Sequence, residues 1–132
     1  MAEAIEWLRE ECSELENFLR TLSDADWQLV TEYKDWTVAD EVMHLHQIDN
    51  FGVVAVTNPD GWPDFVKSVR AYQAEGITHF DKARTTWGHL APAELLALWS
   101  KGWRDLLALL EGVQDGGKLP WFGPDMRPES FA

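Results

Sequence analysis

Apolar residues recur at steps of three and four along several segments of the chain, a pattern typical of amphipathic helices. The first such segment runs from Ala2 to Leu22, with glutamates filling most of its other face. The second begins at Thr37, which together with Asp40 forms a short variant of the capping box, and ends near Thr57. The predicted inward positions are Ile5, Leu8, Cys12, Leu15, Phe18, Leu19 and Leu22 in the first helix, and Val38, Val42, Leu45, Gly52 and Val56 in the second.

The remaining pattern predicts a third and a fourth helical segment. The third starts at Pro63, and Gly76 in its middle favours a break there. The fourth starts at Pro92 and ends near Gly112. The stretch 27–36 has no sustained period and is interpreted as a loop, and no strand pattern is visible. We therefore predict an all-α protein with an antiparallel four-helix bundle. The inward positions are Phe65, Val69, Tyr72, Phe80 and Ala83, followed by Leu95, Leu96, Leu98, Trp99, Trp103, Leu106, Leu107 and Leu110.

The C-terminal stretch predicts an incomplete last helix. Residues 119–126 have the composition of a loop with apolar anchors, and residues 127–132 resemble the opening of a further helix, with Pro128 near its first position. One turn gains almost no backbone hydrogen bonding, so we expect the bundle to be truncated at its C-terminus. Residues 1–132 are interpreted as a single domain of this kind.

Composition and charge narrow the functional classes. The chain has 132 residues, 45% of them hydrophobic, and a formal net charge of −12, which disfavours nucleic acid and anionic membranes as partners. No apolar run is long enough for a membrane span, and the N-terminus lacks the basic and apolar regions of a secretion signal. Cys12 is the single cysteine, so no intrachain disulfide is possible and a cytoplasmic location is expected.

The histidines are the main candidates for site chemistry. His44 and His46 are two positions apart on one helix, so their side chains point roughly 160° apart and cannot share one metal ion. His44 falls on the apolar side and His46 on the flank, where a structural or surface role is favoured. His79 and His89 have no partner at ligand spacing. Residue spacing alone leaves His44 open between a buried structural histidine and a metal ligand.

A family resemblance favours the ligand. The stretch from Asp35 to Leu45, Asp-Trp-Thr-Val-Ala-Asp-Glu-Val-Met-His-Leu, resembles the Gly-Trp-Thr-Val-x-Asp-x-x-x-His-Leu motif of the DinB-like metal-binding bundles. It is most similar to the N-terminal family of mycothiol-dependent maleylpyruvate isomerases. Leu119-Pro-Trp-Phe-Gly-Pro, Ser130-Phe-Ala, Pro92-Ala-Glu-Leu-Leu and Trp99 extend the likeness along the chain. Two departures are an Asp at position 35, where Gly is common, and the end of the chain before the family's second and third metal ligands.

The resemblance implies a site and two functional hypotheses. It makes His44 the first ligand of a divalent metal, typically zinc, and mycothiol a candidate cofactor. The first hypothesis is a thiol-dependent isomerase or transferase acting on a small molecule, with catalysis in doubt because zinc sites normally use three protein ligands. The second is a non-catalytic, self-associating module, a homodimer with Trp121, Phe122 and Phe131 at or beside the contact. Asp40 is interpreted as a helix cap in preference to a partner of His44, Trp36 as a core anchor, and Arg70 and Arg84 as surface residues.

Overall fold

The computed structural model describes residues 2–113, and these residues form five α-helices. No strand occurs within this range, which confirms the all-α prediction and agrees with a DinB-like bundle. The predicted loop at 119–126 and the helix opening at 127–132 lie outside the described residues. The helices are α1 (Ala2–Arg20), α2 (Val38–Thr57), α3 (Trp62–Ala74), α4 (His79–Trp87) and α5 (Pro92–Glu111), with short 3-10 turns at Asp26–Gln28 and Pro59–Gly61.

Two capping boxes fix where α2 and α4 begin. At α2 the Asp40 amide donates to Thr37 Oγ1 over 3.1 Å, and the Thr37 amide donates to the Asp40 carboxylate over 3.0 Å. Thr78 and Asp81 make the same reciprocal pair at α4, over 3.0 and 2.9 Å. Gly76, at a φ of +85° between α3 and α4, supplies the left-handed backbone that separates them. The capping box at Thr37 and the break at Gly76 are therefore confirmed.

The core lies where α5 packs against both α1 and α2. Trp99, Leu107 and Leu110 of α5 are almost completely buried there, and Trp103 and Leu106 are nearly so. Tryptophan brings the largest apolar area of any side chain into such a contact, so two buried tryptophans on one helix give α5 a central place in the fold. None of the helices formed by residues 2–113 combines the length and apolar character that crossing a bilayer requires.

The buried face of α2 differs from the predicted stripe. Leu45 was expected to point inward, but it is 37% exposed, and Ile48 on the same side is 36% exposed. His46 and Gln47 are buried instead, at 4% and 5% exposure. The face predicted from hydropathy is therefore rotated about the helix axis relative to the observed buried face. The cause is that polar residues with specific neighbours occupy the inward positions of this helix.

A buried carboxylate explains the corresponding error on α1. Phe18 was predicted inward and is 58% exposed, whereas Glu16 is 3% exposed. Arg104 of α5 donates to both Glu16 oxygens, over 2.8 and 3.1 Å, and Trp103 Nε1 donates over 3.3 Å. The hydrogen bond from Arg104 is the main reason that the pKa of Glu16 falls to about 2. This pairing fastens α1 to α5 and sets the rotation of α1.

The pKa of a second acid, Asp49 of α2, is shifted in the opposite direction from that of Glu16. Burial raises the pKa of Asp49 to about 7, partly offset by a hydrogen bond from the Trp99 side chain. The half-buried Cys12 of α1 interacts with it electrostatically, and burial followed by the Asp49 charge raises the pKa of that thiol to about 12. Cys12 is therefore a protonated thiol at neutral pH and a poor nucleophile.

The packing predicts a clear order among destabilising substitutions. Trp99→Ala or Leu106→Ala should lower the free energy of unfolding by about 2–5 kcal/mol, because each leaves a cavity in the contact of α5 with its neighbours. Thr37→Ala should cost only about 1 kcal/mol, the usual effect of losing an N-cap. Urea denaturation followed by circular dichroism measures all three, and a larger loss for Thr37→Ala than for Trp99→Ala would contradict the assigned core.

Asp49 predicts a pH dependence of stability. Its folded pKa of about 7 lies above the ordinary aspartate value of 3.8, so the folded state binds more protons between these values and loses stability as the pH rises through them. Asp49→Asn should remove this loss and exceed the wild type in unfolding free energy at pH 8 by up to about 4 kcal/mol, because each unit of pKa difference is worth about 1.4 kcal/mol. Urea denaturation at pH 5 and pH 8 tests it. An equal advantage of the variant at both pH values would contradict it.

Candidate site around His44

The loop before α2 brings Trp36 against that helix. The Thr31 amide donates to the Trp36 carbonyl over 2.7 Å, closing a turn in which Lys34 and Asp35 have φ values of 50° and 59°. This left-handed region favours glycine and tolerates aspartate better than most residues. It gives a physical reason for the glycine that is common at position 35 and for the aspartate that stands here.

Aromatic rings form one wall of the site. Trp36 stacks on Phe80 of α4 with ring centroids 4.3 Å apart and planes 12° from parallel. The same indole contacts the imidazole of His44 at 5.3 Å, and Tyr33 meets it edge-on at 5.1 Å. Trp36 was predicted to be a core anchor, and it is half-buried between α2 and α4, with part of its surface facing a cavity.

This cavity, here the His44 cavity, has a volume of about 500 Å³. It lies between the loop before α2, the middle of α2, and the segment joining α3 to α4. Its dimensions and mixed aromatic and polar lining are typical of small-molecule sites. The lining residues are Tyr33, Lys34, Trp36, His44, Gln73, Gly76, Ile77, Thr78, His79 and Phe80.

His79 is the functional candidate that the sequence analysis left without a partner. It is the first residue of α4, and Tyr72 Oη lies 2.7 Å from its Nδ1, with Gln73 Nε2 3.4 Å from its Nε2. Gln47 of α2 donates to its backbone carbonyl over 2.7 Å. The sequence did contain one signal for this position, the Thr-x-x-Asp pattern from Thr78 to Asp81. It marks the start of α4, where the chain turns back toward α2 and brings His79 to this cavity.

Both imidazoles of the cavity lose basicity. Burial is the main cause of the lowered pKa of His44, and the Lys34 charge adds to it while Glu41 opposes it. Burial also lowers the pKa of His79, with a smaller effect from His44. Both rings are therefore neutral at physiological pH, and a neutral imidazole nitrogen can bind a metal ion or accept a proton.

The described residues do not form a complete metal site. Nowhere in residues 2–113 do three or more His, Cys, Asp or Glu side chains come close enough together to hold an ion. His44 is chemically suited to be one ligand, but zinc normally needs three from protein. Asp40 acts as the predicted cap, and its carboxylate also pairs with Arg84 Nε over 3.3 Å.

His46 occupies a different environment from His44. Its ring meets Trp87 edge-on at 4.8 Å, and Asn50 Nδ2 lies 3.4 Å from its Nε2. Burial lowers the pKa of His46, so this imidazole is also neutral at physiological pH. The two histidines point to different sides of α2 as expected, but the predicted sides were wrong: His46 is the buried one, and His44 is half-buried at the cavity.

Comparisons with known proteins agree with the family resemblance of the sequence. The family model described as "Mycothiol maleylpyruvate isomerase N-terminal domain" matches residues 8–132. Two relatives from Mycobacterium tuberculosis, the uncharacterised proteins Rv0036c (strain H37Rv) and MT0041 (strain CDC 1551), are each 34% identical over 125 residues. The alignments cover 95% of this chain and 48% of each relative, so the chain spans about half the length of these proteins. No solved structure matches it significantly.

Proposed function

The chain belongs to the mycothiol maleylpyruvate isomerase N-terminal domain family, and we propose that its His44 cavity serves a thiol-dependent isomerase or transferase reaction. The observation that carries this proposal is the convergence of two neutral imidazoles on a cavity of about 500 Å³ with a stacked aromatic wall. Such a cavity combines a surface for the apolar part of a small substrate with groups able to accept a proton.

Individual residues have distinct parts in this proposal. The stacked rings of Trp36 and Phe80 bind the flat or apolar part of the substrate. Lys34, whose ammonium lies 5.3 Å from the Tyr33 ring centroid, attracts a negatively charged substrate group in an otherwise acidic protein. His79 accepts a proton from substrate or thiol, and the Tyr72 hydroxyl at its Nδ1 holds the ring in orientation.

His44 is proposed as one ligand of a divalent metal ion, with zinc as the expected metal. A bound metal of this kind would supply Lewis-acid polarisation and lower the pKa of a bound thiol. Because residues 2–113 contribute no complete ligand set, the other ligands come from outside this range or from another chain, and we expect weak binding by this chain alone.

The thiol is proposed to be a separate molecule, with mycothiol as the candidate given by the family. The one cysteine of the chain, Cys12, has a pKa raised to about 12 and does not line the His44 cavity. A free thiol cofactor has to stay reduced to react. We therefore propose a cytoplasmic location, because a reducing cytoplasm would keep both the cofactor and Cys12 in the reduced state.

Exposed apolar side chains support a second candidate function, self-association as a homodimer. Trp7 and Phe18 of α1 are 73% and 58% exposed, and their spacing of eleven residues places them on one face of the helix. Leu45 and Ile48 expose further apolar surface on α2. Large apolar side chains repeated on one face are typical of interfaces between chains.

The metal proposal predicts a dependence on His44. The purified chain should bind zinc weakly, and His44→Ala should reduce the affinity at least tenfold, since the loss of a ligand exceeds the usual effect of losing a supporting group. Equilibrium dialysis with metal analysis gives the affinity and stoichiometry. His89→Ala is the matched control, because His89 is exposed and does not line the His44 cavity. Unchanged zinc binding by His44→Ala would refute the assignment.

The second candidate predicts a dimer that depends on α1. Light scattering after size-exclusion chromatography at micromolar concentration should give twice the chain mass of 15.1 kDa. Replacing Trp7 and Phe18 by lysine should give the monomer mass, because two charges would have to be buried in the contact. Leu29→Lys is a control at a residue that is 60% exposed and does not belong to α1. A wild-type monomer under these conditions would exclude self-association as the function.

A further inference from the structure

An acidic and aromatic stripe runs along the solvent-facing side of α1. Its residues follow one another at steps of four and three, which places their side chains on one side of the helix. They are Glu3, Trp7, Glu10, Glu14 and Phe18, and all five are exposed. We name them the α1 stripe. Its three glutamates form no ion pair with any other residue of the range 2–113, so their charges are available to a partner.

An open groove of the opposite charge lies along α5. It has a volume of about 590 Å³ and is formed by α5 together with Arg20 at the end of α1. We name it the Lys101 groove. Three of the eleven basic residues of the chain line it, and no acidic side chain is among the described residues that do so. Its basic residues are Arg20, Lys101 and Arg104, and its apolar residues are Ala93, Leu96 and Ala97.

The Lys101 groove keeps a positive charge although its basic residues have partners. Arg20 and Arg104 share the one carboxylate of Glu16, at distances of 2.9 and 2.8 Å, so one of the two guanidinium charges is not compensated. Lys101 pairs with Asp105 one turn further along α5. Exposed ion pairs of this kind contribute little to stability, so the Lys101 ammonium can take another partner at small cost. The groove can therefore bind acidic groups from outside the chain.

The two surfaces are complementary, and we propose that the α1 stripe of one copy binds in the Lys101 groove of a second copy. This proposal rests on self-association, the second candidate function. The aromatic residues of the stripe, Trp7 and Phe18, are eleven positions apart, and so are the first and last residues of the groove on α5, Ala93 and Arg104. Each surface is therefore about 16 Å long. The aromatic side chains pack on the apolar part of the groove, and the glutamates pair with its basic residues.

Charge favours this contact over a direct contact between two α1 stripes. Two copies that each carry a net charge of −12 repel one another unless surfaces of opposite sign meet. A contact of stripe with stripe would place glutamates against glutamates, whereas the Lys101 groove offers cations. In a two-fold dimer each chain supplies its stripe to one contact and its groove to the other, so the dimer contains the same contact twice.

Charge-reversal variants test the proposal through the dissociation constant of the dimer. Glu14→Lys in the stripe and Lys101→Glu in the groove each bring like charges together in both contacts, so each should raise this constant at least about tenfold. Glu75→Lys and Lys67→Glu are the matched controls, because they make the same changes of charge at exposed residues outside both surfaces. Sedimentation equilibrium of the whole chain gives the constants, and circular dichroism checks that each variant is folded.

An equimolar mixture of the two test variants distinguishes this contact from other dimers. In a heterodimer of Glu14→Lys with Lys101→Glu, one contact pairs the introduced lysine with the introduced glutamate, and the other contact has the original residues on both sides. Both contacts are then attractive, so the mixture should recover the wild-type dissociation constant. A dimer formed by two α1 stripes would instead be insensitive to Lys101→Glu.

The outcomes separate this contact from self-association itself. A wild-type dimer that both test variants weaken, that neither control affects and that mixing restores supports the proposal. A wild-type dimer that Lys101→Glu leaves intact overturns it while self-association stands, and a mixture without recovery does the same. A wild-type monomer at micromolar concentration refutes both self-association and this contact.

Discussion

The close approach of α2 to α5 at His46 and Gly102 is the contact on which the site geometry depends. A Cβ atom at position 102 would lie 2.8 Å from the His46 ring, closer than real side chains come. Glycine at this point lets the imidazole pack directly on the backbone of α5. Once His46 is fixed there, the rotation of α2 about its own axis is fixed as well.

That rotation determines what the rest of α2 presents. His44, two residues earlier, must point roughly 160° away from His46, and it therefore meets Trp36 and the start of α4. Gln47 follows His46 on the inward side and reaches the His79 carbonyl over 2.7 Å. The orientation of α2 thus places both His44 and Gln47 against the residues around His79.

The sequence predicts the elements better than it predicts their faces. Local chemistry is sufficient for the capping box at Thr37, the break at Gly76 and the start at Pro92, since each depends on residues within one turn. The face of α2 depends on a glycine more than fifty positions away, and the burial of Glu16 depends on Arg104, 88 positions away. No pattern within a helix contains these partners, so a hydropathy stripe assigns the polar side chains outward.

The candidate site was predictable to a similar degree. His44 follows from the motif that begins at Asp35, and its position beside Trp36 is a consequence of the short loop. His79 could not be assigned, because its neighbours Tyr72 and Gln47 come from two other helices.

The protonation states of the histidines and the cysteine limit the chemistry of the site more than the number of these side chains does. His44 and His79 are neutral and Cys12 is protonated near pH 7, so the described bundle offers proton acceptors but no thiolate. Any thiol reaction at this cavity must therefore use a thiol that arrives from outside residues 2–113.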